Sequence, residues 1–183
     1  LALRSTTSIA RAKCLPSDEK PGHVHLIVVP RGDDRTMDLT RKLVPPPELC
    51  RYVRNYLDER RLVTTILDVT KPTYIELSLK VTLIRRTVGQ SERLRNEIEQ
   101  RLRRYLHPLL GGKDGKGWPF ARPIYRTDLV HVVEDVPGVD AIDSVQIYDE
   151  DRRVMVESVK LKGDELPHIV NVAVIERVRK EMV

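Results

Sequence analysis

The sequence predicts an α+β fold, in which a split βαβ (ferredoxin-like) antiparallel sheet with two helices is followed by a smaller αββ region. Two patterns support this fold class. Residues 74–84 alternate between apolar and polar side chains, as a strand with one buried face does. Two other segments carry apolar residues at helical spacing, and the predicted order up to residue 110 is strand, helix, strand, strand, helix. That order is most of a split βαβ unit.

The first strand and the first helix are predicted between residues 23 and 57. His23–Pro30 follows the turn signal Pro21-Gly22 and is apolar enough to be covered on both faces. Pro47 suits the first turn of a helix, where its missing N–H costs nothing. The apolar residues after it recur at helical spacing: Leu49, Val53, Tyr56 and Leu57.

Two more strands and a second helix are predicted to complete the unit. Val63–Val69 is rich in residues that favour strands, and Lys71-Pro72 then turns the chain into the alternating strand. Gly89 is expected to end that strand, and Ser91 has the side chain of a helix N-cap. The helix that follows has an apolar stripe made of Leu94, Ile98, Leu102, Tyr105, Leu106 and Leu109.

The chain is predicted to divide into three segments. Residues 1–22 are expected to be a linker or the end of a preceding helix, and residues 23–110 a βαββα domain. Residues 111–183 are expected to be a Gly-rich connector and a C-terminal αββ domain. The chain begins Leu-Ala-Leu without a methionine, which suggests a processed product or a fragment of a longer protein.

The C-terminal domain is predicted to hold one short helix and a hairpin. Thr127 is expected to cap the helix, which the Val-Pro-Gly turn at residues 136–138 ends. The acidic turn at residues 149–151 is expected to join the two strands of the hairpin. Ile169–Val178 is a further strand to which the sequence assigns no partner.

Composition argues against several classes of protein. The net charge is +5, but the 32 basic residues are interspersed with 27 acidic ones, so no phosphate-binding face is predicted. No apolar run approaches about 18 residues and no signal-peptide pattern is found, so we expect neither membrane insertion nor signal-dependent secretion. Cys14 and Cys50 lack CxxC spacing and are expected to be reduced thiols.

The strongest candidate site is the stretch GGKDGKGWPF at residues 111–120. Glycines beside lysines can cradle phosphate, but this loop is one residue short of a P-loop, lacks its Ser/Thr and follows a helix. Phe120 stands where a dinucleotide-binding motif needs its third glycine. We therefore expect the glycines to end the helix and shape a tight loop, which Trp118 and Phe120 anchor. The candidate structural or interface residues are Gly111, Gly112, Gly115, Gly117, Trp118, Pro119, Phe120, Pro137 and Gly138.

No other cluster in the sequence predicts catalysis. His23 and His25 lie on one strand face and could offer two metal ligands, but no third ligand can be assigned. The Asp33-Asp34 pair lies in a polar segment without a neighbour that would make it a general acid or base. The sequence contains no G-x-S-x-G or H-E-x-x-H signature. We expect no enzymatic activity, no cofactor and no metal site.

Two alternatives stay open from the residues alone, a nucleic-acid-binding ferredoxin-like domain and a ligand-sensing one. The helix over residues 92–104 is rich in arginine, but Glu92, Glu97 and Glu99 interrupt any basic stripe. The polar face of the alternating strand lacks the aromatic platform on which RNA bases stack. Neither alternative accounts for the sequence pattern over residues 105–148.

Three segments resemble baseplate J-like proteins of contractile phage tails and phage-tail-like injection systems. They are SIARAKCLP (8–16), PGHVHLIVVP (21–30) and PPPELCRYVRNYLDERRLVTT (45–65). The most specific similarity covers residues 105–148, where a helix leads through GGKDGKGWPF into a short helix and a Pro-Gly-Val-Asp turn. The family usually has proline and glycine where this chain has Lys113 and Ala121.

The resemblance covers nearly the whole chain and corresponds to the C-terminal part of a longer family protein. It implies a baseplate wedge subunit, without enzymatic activity or cofactor, that joins the ring around the central hub and spike. The implied partners are other wedge subunits, further copies of itself, and hub, spike and sheath-proximal proteins, but not nucleic acid. It also implies assembly in the bacterial cytoplasm into a phage virion or a phage-tail-like particle, where ring rearrangement triggers sheath contraction.

Overall fold

The computed structural model describes residues 1–17, 21–32, 37–85 and 91–178, and it confirms the mixed α+β class. Within these ranges the chain forms four helices and nine strands, and the strands belong to three sheets. Gly89 and the Asp33-Asp34 pair lie outside the described residues.

The first sheet has three strands in the order β1-β2-β3. They are β1 (Ile9–Pro16), β2 (His23–Pro30) and β3 (Ile66–Thr70). β2 pairs with β1 antiparallel and with β3 parallel, and the connection between β2 and β3 contains helix α2 (Pro47–Asp58). A parallel pair needs such a crossover because the chain must return to the end of the sheet where it started. The short helix α1 (Ala2–Ser5) packs beside β1.

The central strand of this sheet, β2, is covered on both faces, as predicted. Val28 and Val29 are both 0% exposed, although neighbouring residues of a strand point to opposite faces. Val28 belongs to a hydrophobic core with Val53 of α2. Val29 lies on the other face and is paired with Arg11 of β1. The face that carries Val29 and Arg11 therefore has a different neighbour from α2.

The second sheet has four strands in the order β7-β6-β4-β9. They are β4 (Thr73–Arg85), β6 (Val139–Asp149), β7 (Val154–Val156) and β9 (Glu165–Val178). Helices α3 (Ser91–Leu106) and α4 (Arg126–Glu134) pack against this sheet. The apolar residues that alternate along β4 are buried in its core: Leu77, Leu79, Val81 and Leu83. A small third ladder pairs β5 (Ile124–Tyr125) with β8 (Ser158–Val159).

The chain does not form the split βαβ arrangement predicted over residues 23–110. β2 and β3 lie in one sheet and β4 lies in another, and each of these two sheets contains both parallel and antiparallel pairs. β4 takes its neighbours, β6 and β9, from the region that was expected to be a separate αββ domain. β4 pairs with these strands because of its length and because its apolar face must be buried. β4 has 13 residues and one apolar face, and β6 and β9, with 11 and 14 residues, are long enough to pair along it.

The N-terminal segment also differs from its expected form. Where we expected a linker or a helix end over residues 1–22, the chain forms α1 and then β1. β1 adds a third strand to the first sheet. It pairs with one edge of the apolar strand β2, and without β1 the backbone groups on that edge would be unpaired.

The predicted C-terminal elements are largely present. β6 and β7 form the hairpin around the acidic turn, and β9 pairs with β4 in parallel. Thr127 does not cap α4, because the N-cap residue is Tyr125 and makes no side-chain capping hydrogen bond. Ser91 begins α3, and its hydroxyl donates a 2.7 Å hydrogen bond to Glu176 of β9. In the part of the chain that the structure describes, no helix has both the length and the apolar character to cross a membrane.

Candidate functional site

The Gly-rich stretch lies at the junction between the first and second sheets. We call residues 107–120, which follow α3 directly, the junction loop. Its aromatic end reaches β1 of the first sheet, whereas its glycine-rich part folds back on the end of α3. The loop was expected to connect two domains along the chain, but in the structure it connects the two sheets in space.

The loop begins by capping the end of α3. The N–H of Gly112 donates to the carbonyl of Tyr105 at 2.8 Å, and the N–H of Gly111 donates to the carbonyl of His107 at 2.9 Å. Gly112 has a φ of 79°, in the left-handed region that favours glycine. The carbonyls in the last turn of a helix lack intrahelical partners, so these glycines satisfy groups that would otherwise need water.

The loop then closes on itself through its backbone. The N–H of Gly117 donates to the carbonyl of Gly111 at 2.8 Å, and the N–H of Trp118 donates to that of His107 at 3.0 Å. Gly117 has a φ of 97°, and a Cβ there would overlap the carbonyl oxygen of Pro108. Only glycine allows the two backbone segments to approach this closely.

Trp118 anchors the loop to the second core. Among the described residues it is the largest fully buried side chain. Its ring packs edge-on against Tyr105, with 5.5 Å between ring centroids, and its indole N–H donates to the carbonyl of Arg122 at 3.2 Å. The guanidinium of Arg122 also lies 4.7 Å from the centroid of the indole ring. An aromatic side chain with a satisfied polar group is well suited to fix a loop in a dry core.

Phe120 and the first sheet meet at the other end of the loop. The half-buried Phe120 ring faces two cations of β1, with the guanidinium carbon of Arg11 at 4.9 Å and Lys13 Nζ at 5.5 Å from its centroid. Arg11 Nη1 also donates to the carbonyl of Trp118 at 2.8 Å and to that of Pro108. Pro119, between the two aromatic residues, is exposed.

Arg11 is the residue of this site that sequence reasoning missed. The segment around it was expected to be a linker, so no contact was assigned to its charge. In the register of β1, Arg11 lies opposite the buried Val29. Recognition of β1 as a strand would have placed a cation on a buried face, and such a cation needs a partner.

A second set of contacts joins the segment before α2 to the start of β4. The hydroxyl of Tyr74 donates to the carbonyl of Leu43 at 2.9 Å and accepts from the N–H of Leu43 at 3.1 Å. Burial raises the pKa of Tyr74 to about 12, so its hydroxyl stays protonated and able to donate. Lys42 forms an ion pair with Glu76, and the hydrogen bond from Lys42 lowers the pKa of that carboxyl.

His107 supports the turn between α3 and the glycines. The residue is 3% exposed, and its Nδ1 accepts from the N–H groups of Leu109 at 3.1 Å and Leu110 at 3.3 Å. Burial, with a smaller effect from the charge of Arg104, lowers the pKa of His107 to about 4. Because a protonated Nδ1 could not accept these hydrogen bonds, the neutral ring is the form that fits this turn.

The buried neutral His107 should make stability depend on pH. Its pKa is about 4 in the folded chain and 6.5 for an unperturbed histidine, so the unfolded chain binds more protons between these pH values. The free energy of unfolding should therefore be highest above about pH 6.5 and fall by up to about 3 kcal/mol as the pH approaches 4. Urea unfolding at a series of pH values measures this dependence.

The matched control for this prediction is His107→Asn, because the asparagine oxygen can replace Nδ1 as acceptor but does not titrate in this range. Its free energy of unfolding should fall less steeply with decreasing pH than that of the parent. Equal slopes for the two proteins would show that His107 does not titrate as described.

Ala121 occupies a left-handed position, with a φ of 64°. An L residue with a Cβ loses about 1–2 kcal/mol in this region relative to its preferred conformations, whereas glycine does not. Ala121→Gly should therefore raise the free energy of unfolding by up to about 1 kcal/mol, after the entropy that glycine loses on folding. The control is Ala173→Gly on the exposed face of β9, which should lower stability, as measured by urea unfolding. A decrease of similar size for both variants would contradict the prediction.

The remaining candidates lie away from the junction. Pro137 and Gly138 form the turn between α4 and β6, where Gly138 has a φ of 104° and lies beside Leu94 of α3. His23 and His25 are in β2, and within the described ranges no three His, Cys, Asp or Glu side chains form a possible metal site. Both cysteines are free thiols.

The similarity of this chain to known proteins is one of three-dimensional structure. No family model and no curated protein matches the chain. A solved structure does: a chain in the cryo-EM structure of the anti-feeding prophage (AFP) baseplate, 6-fold symmetrised, matches with a TM-score of 0.62 and 11% sequence identity over 92% of this chain. The matched region spans 35% of that chain's length. At this level of identity the likeness shows that the two share a fold.

Proposed function

We propose that this chain is a structural component of the baseplate of a contractile phage tail or phage-tail-like injection particle. The observation that carries the proposal is the fold, which matches a chain of the anti-feeding prophage baseplate over 92% of this chain. The resemblance of residues 105–148 to baseplate J-like proteins supports the same class of particle from the sequence.

Within the baseplate, we assign the chain the role of a wedge subunit of the baseplate J-like type. Such a subunit joins the ring around the central hub and spike, and it helps to couple rearrangement of the ring to contraction of the sheath. Its partners would be other wedge subunits, further copies of itself, and hub, spike and sheath-proximal proteins. The particle would assemble in the bacterial cytoplasm.

The chemistry of the junction favours a structural role over an enzymatic one. Its polar groups bind one another: Arg11 donates to two backbone carbonyls, and the indole N–H of Trp118 donates to a third. His107 Nδ1 likewise accepts two backbone N–H groups. The bonds of Arg11 hold the first sheet against the junction loop, and the bonds of Trp118 and His107 hold the loop itself, so the polar groups of the junction serve its structure. We therefore propose a protein without catalytic activity or cofactor.

The surface after α2 is suited to contact with a neighbouring subunit. Leu62 and Val63 are 75% and 97% exposed, and Ile66 beside them is also exposed. Adjacent exposed apolar side chains of this kind are favourable to bury in an assembly.

The nucleic-acid-binding and ligand-sensing alternatives both assumed a ferredoxin-like sheet, and the strand order in the two sheets removes that assumption.

Deletion of the gene in the bacterium or prophage that encodes it tests this function. We expect negative-stain micrographs of the deletion strain to show tubes and sheaths without complete baseplates, and the reintroduced gene to restore complete particles. Complete, contractile particles from the deletion strain would overturn the proposal.

A further inference from the structure

We infer that Arg11 is a conformational latch, which holds the first sheet in one orientation relative to the second. When this latch opens, the two sheets become free to move as separate bodies joined at residues 71–72. The latch is a property of the chain itself and does not depend on the particle in which the chain works.

Arg11 reaches from the first sheet across the junction. It belongs to β1 of the first sheet, but its hydrogen-bond partners, the carbonyls of Pro108 and Trp118, belong to the junction loop of the second. Its guanidinium also stacks near the ring of Phe120 in the same loop. Burial lowers the pKa of Arg11, which indicates that its charge has left water and depends on these carbonyls and the ring. One side chain thus makes three directional contacts across the junction.

The two apolar cores are separate clusters. The core around β4, α3 and Trp118 and the core around β2 and α2 share no residue among those described. Leu15 of β1 lies beside Gly163, so apolar contact also crosses the junction, and the hydrogen bonds of Arg11 to two fixed carbonyls add a directional constraint to it. The directional part of the junction is therefore a polar contact, and such a contact can open without unfolding either core.

Among the described residues, Arg11 supplies the hydrogen bonds from β1 to the junction loop. Only two residues, Lys71 and Pro72, separate β3 from β4. The bonds from Leu43 to Tyr74 lie in the segment before α2, so they tether that segment without holding β1. Lys13 also faces Phe120, and within the described ranges it makes no hydrogen bond to the loop, so it is a matched comparison for Arg11.

Distance measurement between spin labels on the full chain tests the latch. We would attach the labels at Asn55→Cys on α2 and Gln146→Cys on β6, both exposed positions, in a background with Cys14→Ser and Cys50→Ala. The parent and Lys13→Met should each give a single narrow distance distribution. Arg11→Met should give a broadened or divided distribution, with unchanged secondary structure by circular dichroism.

A narrow distribution identical to the parent's in folded Arg11→Met would overturn the inference. If Arg11→Met does not fold, Arg11→Lys replaces it, since lysine keeps the charge but lacks the planar guanidinium that reaches two carbonyls and stacks on Phe120. Broadening in folded Arg11→Lys supports the latch, and a distribution equal to the parent's contradicts it.

Discussion

Replacement of Trp118 by alanine is expected to lower the free energy of unfolding by about 3–5 kcal/mol. The ring is fully buried in the core of the second sheet, so its removal leaves a large cavity beside Tyr105. It also leaves the carbonyl of Arg122 without the indole donor. Chemical denaturation followed by far-UV circular dichroism measures the loss.

Phe120→Ala is the matched control, because it removes the other aromatic ring of the same loop. Phe120 is only half-buried, and its contacts are with the cations Arg11 and Lys13, so the expected loss is about 1 kcal/mol. An effect of Trp118→Ala as small as that of Phe120→Ala would mean that the indole ring does not anchor the loop.

Gly117→Ala is expected to lower the free energy of unfolding by about 3 kcal/mol or more. The left-handed φ of 97° alone costs an L residue about 1–2 kcal/mol. The added Cβ would also overlap the carbonyl oxygen of Pro108 and lie 2.8 Å from Arg11 Nη1, and overpacking of this kind costs a further 1–3 kcal/mol or so. Denaturant unfolding of the variant gives the sum of the two costs.

Gly115→Ala separates the cost of the dihedral angle from the cost of the close approach. Gly115 has a φ of 68°, also left-handed, but the nearest atom to its added Cβ is 3.9 Å away. It should therefore lose only about 1–2 kcal/mol. Equal losses at the two positions would show that the backbone of Gly117 does not pack against Pro108 as described.

The helices and strands that the sequence predicted well are those whose pattern is local. The alternation along β4 and the apolar stripes of α2 and α3 each follow from residues a few positions apart, and the structure packs these side chains into its cores, apart from the half-exposed Tyr56. Pairing between strands is different, because it depends on which distant segment can cover an apolar face. Lys71-Pro72 looked like a turn within one sheet, and it instead separates two sheets.

The residues of the candidate site also divide into those that a local sequence pattern indicates and those that only the structure reveals. The glycines and Trp118 could be selected because they are rare and clustered in the sequence. Arg11 could not, because its partners Pro108 and Trp118 lie 97 and 107 residues away and the strand that carries it resembled a linker. His107 had no sequence signal either, since its role comes from burial and from two backbone N–H groups beside it.

A cryo-EM map of the native particle, purified from the cells that produce it, tests the central claim most directly. The proposal that this chain is a baseplate component predicts density for both sheets and the junction loop in the ring around the central spike. A map in which the baseplate ring lacks this fold, while the purified chain remains a monomer that binds nucleic acid tightly, would contradict it.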